Sequence, residues 1–484
     1  MKQPRTEKEE DTYPQSSLSY KEVKELRDKH FASSISLSYS NSDPLLIVSG
    51  SKCRLIDHLG TPYLDTRNNV CHVGHQHPHV VQKVQEQLAI LNTNTRYLHP
   101  NATWLAHRLC ELLPDPLQKV FFVNSGSEAN DLALRLAKAT TLSSNFICVD
   151  HAYHGHTLSV LEVSPYKYKQ SQEFLSCGID GTKSPGNHIM EVPCPDTYRG
   201  VHRGDDAGDR YAEYVVEACE QLQSKGETLA AMIVEGGMSV GGVILPPKGY
   251  LSKCANTVQK SMGGLFIADE VQTGFGRLGH NTNWAFQYQN KDNDEEVIPD
   301  IVTIGKPFGN GMPLAAVVTT QSVSDAFDSM NVEYFNTFGG NPVCTAAGLA
   351  VLDVIENEHL KENATKVGGY LKNQFQTLQQ EQQDEGSSFW IGDVRGSGLF
   401  LGIELIKEKD TLDPATCETS MLCSVLKETY KILTSIDGPY ENVLVVKPPM
   451  VFSVEDADEF VSAFRNATRD VSGMDLSLVS KTPT

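Results

Sequence analysis

Three short stretches carry residue types that could do chemistry. Lys306 follows Gly305 and precedes Pro307 at the end of the apolar run Ile301-Val-Thr-Ile304, so it cannot lie on a solvated helix face. Asp269 closes a second run, Leu265-Phe-Ile-Ala268, and Gln272 follows three residues later. A third run, Lys119-Val-Phe-Phe-Val123, leads into Asn124-Ser-Gly-Ser-Glu-Ala-Asn130. There Gly126 and Ser127 would place free N–H groups and a hydroxyl at a helix N-terminus, a natural phosphate seat. Taken singly, each has an ordinary reading: a salt-bridged lysine, a capping carboxylate, a turn of small residues. Together they are the parts that pyridoxal phosphate (PLP) chemistry needs. The lysine would hold the cofactor as a Schiff base and shuttle protons, and the acid would keep a pyridine nitrogen protonated.

These groups require elements that bring three strand ends together. The pattern from about residue 79 onward is strand, turn, helix, repeated. Apolar runs at 119–123, 145–150, 230–234, 265–268 and 301–304 read as buried parallel strands, with a helix over roughly 127–139. Open parallel sheets bind ligands beyond the carboxyl ends of their strands, where all three stretches fall. Residues 45–66 alternate apolar and polar between glycine turns, which predicts a small antiparallel sheet. The late strand-like segments 398–404 and 443–446 predict an α+β block that pairs with it. The expected division is a tail and helix over 1–30, small-domain parts at 31–78 and 343–484, and a large domain over 79–342. The polar stretch 287–297 reads as a surface insertion.

The residues are familiar at this point. Over nearly all of 35–470 the chain resembles class III (ω-type) PLP-dependent aminotransferases. The specific segments are 124–130, His151-Ala-Tyr-His-Gly155, Ala268-Asp-Glu-Val-Gln-Thr-Gly-Phe-Gly-Arg277, Gly305-Lys306-Pro307 and Thr337-Phe-Gly-Gly-Asn-Pro342. Asn68-Asn-Val-Cys-His-Val-Gly-His75, Leu91-Asn-Thr-Asn-Thr95, Ser164-Pro-Tyr-Lys167 and Tyr334-Phe-Asn-Thr337 resemble the alanine–glyoxylate aminotransferase 2-like branch. That branch includes ethanolamine-phosphate and 5-phosphohydroxylysine phospho-lyases. The resemblance implies an α/β protein of PLP fold type I: a large domain with a mostly parallel sheet, plus a smaller discontinuous α+β domain. It also implies Lys306 as the Schiff-base lysine, Asp269 as the pyridinium partner and Gln272 against the phenolic oxygen. Tyr153 would stack on the ring. Gly126 and Ser127 would bind its phosphate with help from Thr337 of a neighbouring subunit, which makes the chain at least a homodimer. Glu235 would stand near the substrate.

One position departs from the family. Many relatives that use α-amino acids carry an arginine for the substrate carboxylate three residues before the late Pro-Pro, and here it is Val445. In a strand Lys447, two residues on, would share its face. The departure favours a phospho-lyase that eliminates phosphate from a phosphorylated amine, with Arg96, Lys167 and Lys447 as candidate cations for the second phosphate. The alternatives are a transaminase, either alanine–glyoxylate or ω-amino acid, and a non-catalytic PLP-fold protein.

The 484 residues carry 41 basic and 61 acidic side chains, a net charge of −20, which gives no support to nucleic-acid or anionic-membrane binding. Eleven cysteines without a C-x-x-C pair suit a reducing compartment. The first thirty residues are polar and mixed in charge, with Glu7, Glu9, Glu10 and Asp11 among them, and resemble neither a secretory signal nor a mitochondrial presequence, so a cytoplasmic setting is expected. Three other motifs are decoys. Gly237-Met-Ser239-Val-Gly241 matches a nucleophile elbow, but Pro246 and Pro247 forbid the helix that must follow. Gly274-Phe-Gly276-Arg-Leu-Gly279 lacks the helix of a dinucleotide site. Cys71, His72, His75, His77 and His79 lack zinc-ligand spacing, so no metal is expected.

Overall fold

The computed structural model describes residues 18–40, 43–168, 186–288, 296–381 and 388–476, with Lys167 and Tyr168 described by their backbone alone. Most of the polar stretch 287–297 lies outside these residues, as does the start of the N-terminal tail. The helix expected within 1–30 runs Tyr20–His30 and is opened by Ser19, which accepts from the Glu22 amide while Glu22 reaches back to the Ser19 amide.

Three antiparallel strands follow, β1 (Ile47–Ser51), β2 (Arg54–Asp57) and β3 (Pro62–Asp65). Seven more form the central sheet: β4 (Leu117–Val123), β5 (Phe146–Val149), β6 (Ile189–Val192), β7 (Ala231–Glu235), β8 (Leu265–Asp269), β9 (Ile301–Ile304) and β10 (Ala315–Thr320). Their order is β4-β10-β9-β8-β7-β5-β6. β10 runs antiparallel to both β4 and β9, so those two point the same way and every other strand agrees with them. The later strands are β11 (Trp390–Ser397), β12 (Phe400–Ile406), β13 (Ile432–Leu433), β14 (Ser435–Asp437) and β15 (Val443–Val446). β11, β12, β15 and β14 form an antiparallel sheet, while β13 joins β3 in parallel, Ile432 opposite Leu64. The smaller α+β part is therefore stitched from both ends of the chain.

The central sheet is buried on both faces, and strand alternation assigns its side chains. Ile233, Ile267, Ile301 and Val317 pack with Leu132, Leu136 and Ala137 of the Gly126–Thr141 helix. Met232, Phe266, Val302 and Val318 pack in the larger core on the other face. The Gly126–Thr141 helix starts where the sequence predicts, because Ser125 caps it by accepting from the Glu128 amide. Among the described residues, no helix is long and apolar enough to cross a membrane.

Candidate active site

The parallel register sets two acids and a lysine side by side. β7 ends at Glu235, directly opposite Asp269 at the end of β8; Asp269 in turn is opposite Thr303, three residues before Lys306. A cavity of about 340 Å³ opens over these strand ends. Gly126, Ser127, Tyr153, Glu235, Asp269, Gln272 and Lys306 all line it, so seven of the eight sequence-predicted site residues converge. Thr337 does not line it in this chain and is exposed instead.

Asp269 is held from three sides. Its Oδ2 accepts from Asn130 Nδ2 at 2.8 Å and pairs with His154 Nδ1 at 2.7 Å, and its Oδ1 accepts from the Val271 amide at 2.9 Å. His154 is buried, and its Nε2 has no partner among the described residues beside the cavity it lines. Glu235 accepts from the backbone amides of Tyr153 at 3.0 Å and Ser239 at 3.2 Å. Burial pushes its carboxyl up to about 7; His154 opposes that rise and the Asp269 charge adds to it. Lys306 Nζ has no hydrogen-bond or ion-pair partner among the described residues. Burial pushes its ammonium below the usual lysine range, against the attraction of Asp269, Glu235 and Asp437. A buried lysine biased towards its neutral form is a nucleophile and a base.

On one side, Gly126 begins a helix beneath the cavity. A Cβ there would stand 2.5 Å from Val271 Cγ1, so only glycine lets the helix N-terminus approach this wall. Gly155 is equally constrained, since its Cβ would meet Ser127 Oγ at 2.5 Å. A helix N-terminus, an acid fixed by three donors, a buried lysine and an imidazole nitrogen without a partner among the described residues could together hold PLP.

On the far side, Gln272 Oε1 accepts from Asn69 Nδ2 at 3.0 Å and from Lys447 Nζ at 3.2 Å. Lys447 also donates to Ser239 Oγ at 2.7 Å and stands 3.9 Å from Asp437. Burial, with the charges of Lys306, Arg277 and Arg67, pushes it down to about 8, while Asp437 pulls the other way. Arg277 is fully buried and donates to the carbonyls of Leu399 and Pro448 and to His72 Nδ1. Val445 instead packs with Val243, Leu278, Ala285 and Phe400. Arg96 is exposed over the Phe335 ring and is absent from the cavity wall. The Lys167 side chain lies outside what is described.

Sequence reasoning missed Asn130, His154, Asn69, Ser239 and Asp437. Asn130 and His154 sit in motifs already singled out, yet their task depends on Asp269, more than a hundred positions away. Ser239, part of the rejected elbow, is followed by a turn and the Met238–Ile244 bridge, and it serves Lys447. The histidine run disperses: His72 faces Arg277, His75 pairs with Asp65, His77 with Glu358 and His79 with Asp353.

Comparison with known proteins agrees with this geometry. The family model for class III aminotransferases matches residues 37–468. The chain therefore belongs to the class III aminotransferase family, and it is a PLP-dependent enzyme of fold type I. Among its relatives, a Drosophila melanogaster protein named alanine–glyoxylate aminotransferase 2-like is 45% identical, over 93% of this chain and 87% of that one. A Caenorhabditis elegans ethanolamine-phosphate phospho-lyase homologue is 39% identical over 92% of each. A phospholyase from Arthrobacter, solved in complex with phosphoethanolamine, superposes with a TM-score of 0.81 at 35% identity, covering 92% of this chain and 99% of its own. An ω-transaminase from Thermomicrobium roseum gives 0.79 at 27%, with 94% and 99% covered.

Proposed function

We propose that the chain is a phospho-lyase acting on a small phosphorylated amine, ethanolamine phosphate first and 5-phosphohydroxylysine second, which releases phosphate, ammonia and an aldehyde. The observation that carries this reading is Lys447, which donates to the cavity-lining Gln272 and lies within electrostatic reach of Lys306, Arg277 and Arg67, in a chain of net charge −20. Such a concentration of cations suits a dianion. Val445 sits in an apolar seat at the position where many relatives that use α-amino acids would carry a carboxylate-binding arginine. The named phospho-lyase relatives support the same reading.

PLP supplies the electron sink for the carbanion left when the carbon bearing nitrogen loses its proton. Gly126 and Ser127 would hold its phosphate, Asp269 its ring nitrogen, Gln272 its phenolic oxygen and Tyr153 one ring face, with Lys306 as the point of attachment. Asn130 and His154 orient Asp269. Lys306 Nζ would take the proton from the substrate carbon next to nitrogen. Phosphate departs from the adjacent carbon with its bonding electrons, and Lys447 offsets the charge that develops on it. Addition of water then gives ammonia and the aldehyde.

The same reading makes the chain a homodimer, with Thr337 of each subunit completing the other's phosphate seat. Holoenzyme given ethanolamine phosphate should release phosphate and acetaldehyde in equal amounts and give no pyruvate from alanine plus glyoxylate. Pyruvate formation without phosphate release would replace this reading with transamination.

A further inference from the structure

Ser239 is wholly buried and joins two groups that reach it from distant parts of the chain. Its amide donates to Glu235, at the end of β7, and its Oγ accepts from Lys447 Nζ, just past β15. A lysine ammonium has three N–H donors. Ser239 Oγ takes one at 2.7 Å and the cavity-lining Gln272 Oε1 takes a second at 3.2 Å. Asp437, at 3.9 Å, is too far to take the third, which has no acceptor among the described residues. Two anchored donors leave the third a single direction, so Ser239 and Gln272 together aim it.

The turn that carries Ser239 is fixed from outside. The Ser239 carbonyl accepts from the amides of Gly242 and Val243. Val243 has φ 61°, a left-handed backbone that a β-branched residue adopts only where its surroundings compel it. Those surroundings are the sheet of β11, β12, β15 and β14. Arg395 on β11 donates from Nε to the Gly242 carbonyl at 2.8 Å, and the Gly438 amide, just past β14, donates to the Val240 carbonyl at 2.9 Å. Arg395 is itself held by Asp393 at 3.0 Å and Glu404 at 2.6 Å. Gly402 on β12 admits the turn, because a Cβ there would stand 2.9 Å from Val243 Cβ. A turn clamped in a strained conformation gives Ser239 a fixed place.

We propose that Ser239 is a positioning residue, which holds the Lys447 ammonium charged and aimed for the substrate's phosphate. The proposal rests on the reading of Lys447 as the cation for that phosphate. The charged groups around Lys447 are Asp437, Lys306, Arg277 and Arg67, and Glu235 lies on the other side of Ser239. Ser239→Ala alters none of them and removes a single acceptor from a charged donor. An acceptor favours the ammonium, so without it the proton leaves at lower pH. A hydrogen bond to a charged group is worth enough to move that point by about one pH unit.

The test labels holoenzyme with trace acetic anhydride across a pH series and reads acetylation of Lys447 by peptide mass. That curve reports the protonation of Lys447 whichever reaction the enzyme performs. Its half-point should fall by about one pH unit in Ser239→Ala. In parallel, kcat/KM for ethanolamine phosphate should fall about tenfold at pH 7 in the same variant. Added to Lys447→Arg, Ser239→Ala should leave the pH–rate profile where it was, because guanidinium stays charged. An unmoved half-point overturns the positioning role of Ser239. A lowered half-point with kcat/KM unchanged, or with no phosphate released by any form of the enzyme, overturns instead the assignment of Lys447 to the substrate's phosphate, and the proposal falls with it.

Discussion

Lys306 and Lys447 are both buried lysines near one cavity, and their partners divide their tasks. Lys306 has none among the described residues, and burial lowers its ammonium below the usual lysine range; Lys447 donates to Ser239 and Gln272 and stands near Asp437, yet burial still brings it down to about 8. The cation that would hold a second phosphate therefore has a defined working range. Lys447 is charged below about pH 8 and neutral above it. A phosphate monoester is a dianion above roughly pH 6. Elimination of ethanolamine phosphate should accordingly show kcat/KM falling as pH rises through 8. Lys447→Arg should keep its rate at higher pH, because guanidinium stays charged. Lys447→Met should lose about 10- to 100-fold at pH 7, the worth of a hydrogen bond to a charged group. A pH–rate profile identical in wild type and Lys447→Arg would remove Lys447 from phosphate recognition.

At the scale of elements, strand ends were readable and strand neighbours were not. The runs 119–123, 230–234, 265–268 and 301–304 announce β4, β7, β8 and β9 to within two residues; β7, β8 and β9 are wholly buried parallel strands, whereas β4 is a partly buried edge strand legible from its apolar end alone. That placed Lys306, Asp269 and Gly126 at carboxyl ends before any coordinates. What composition does not carry is direction: Ala315–Thr320 is as apolar as its neighbours, yet it enters antiparallel between β4 and β9. Nor does it carry partners such as Asn130 and His154, which depend on how the Gly126–Thr141 helix and the 151–155 turn fold over β8. The close approach of that helix to Val271 can be tested directly. Gly126→Ala puts a methyl group into Val271, an overpacking of about 1–3 kcal/mol, and should weaken cofactor binding about 10- to 100-fold in an absorbance titration. Adding Val271→Ala should restore most of it. A double variant as weak as the single one would mean that the helix N-terminus is not the phosphate seat.

For the whole molecule, the exposed surface around Thr337 matters more than the net charge. Leu98 is fully exposed, Tyr97 is 71% and Phe338 68% exposed, and Trp104 and Phe335 are exposed as well. Tyr97 and Leu98 line a groove that Asn336 also borders, next to Thr337. A monomer rarely leaves so many large apolar groups together in water. A second copy covering them would bring Thr337 to a neighbouring cavity, which this chain's own Thr337 does not reach. Two substitutions separate assembly from binding. Phe338→Glu should halve the mass measured by light scattering and weaken PLP about tenfold or more, through loss of a hydrogen bond to a charged phosphate. Thr337→Ala should weaken PLP comparably while the mass stays that of a dimer. If Phe338→Glu gives a monomer with undiminished PLP affinity, each site is complete within one chain. Thr337 would then be a surface residue with no part in holding the cofactor.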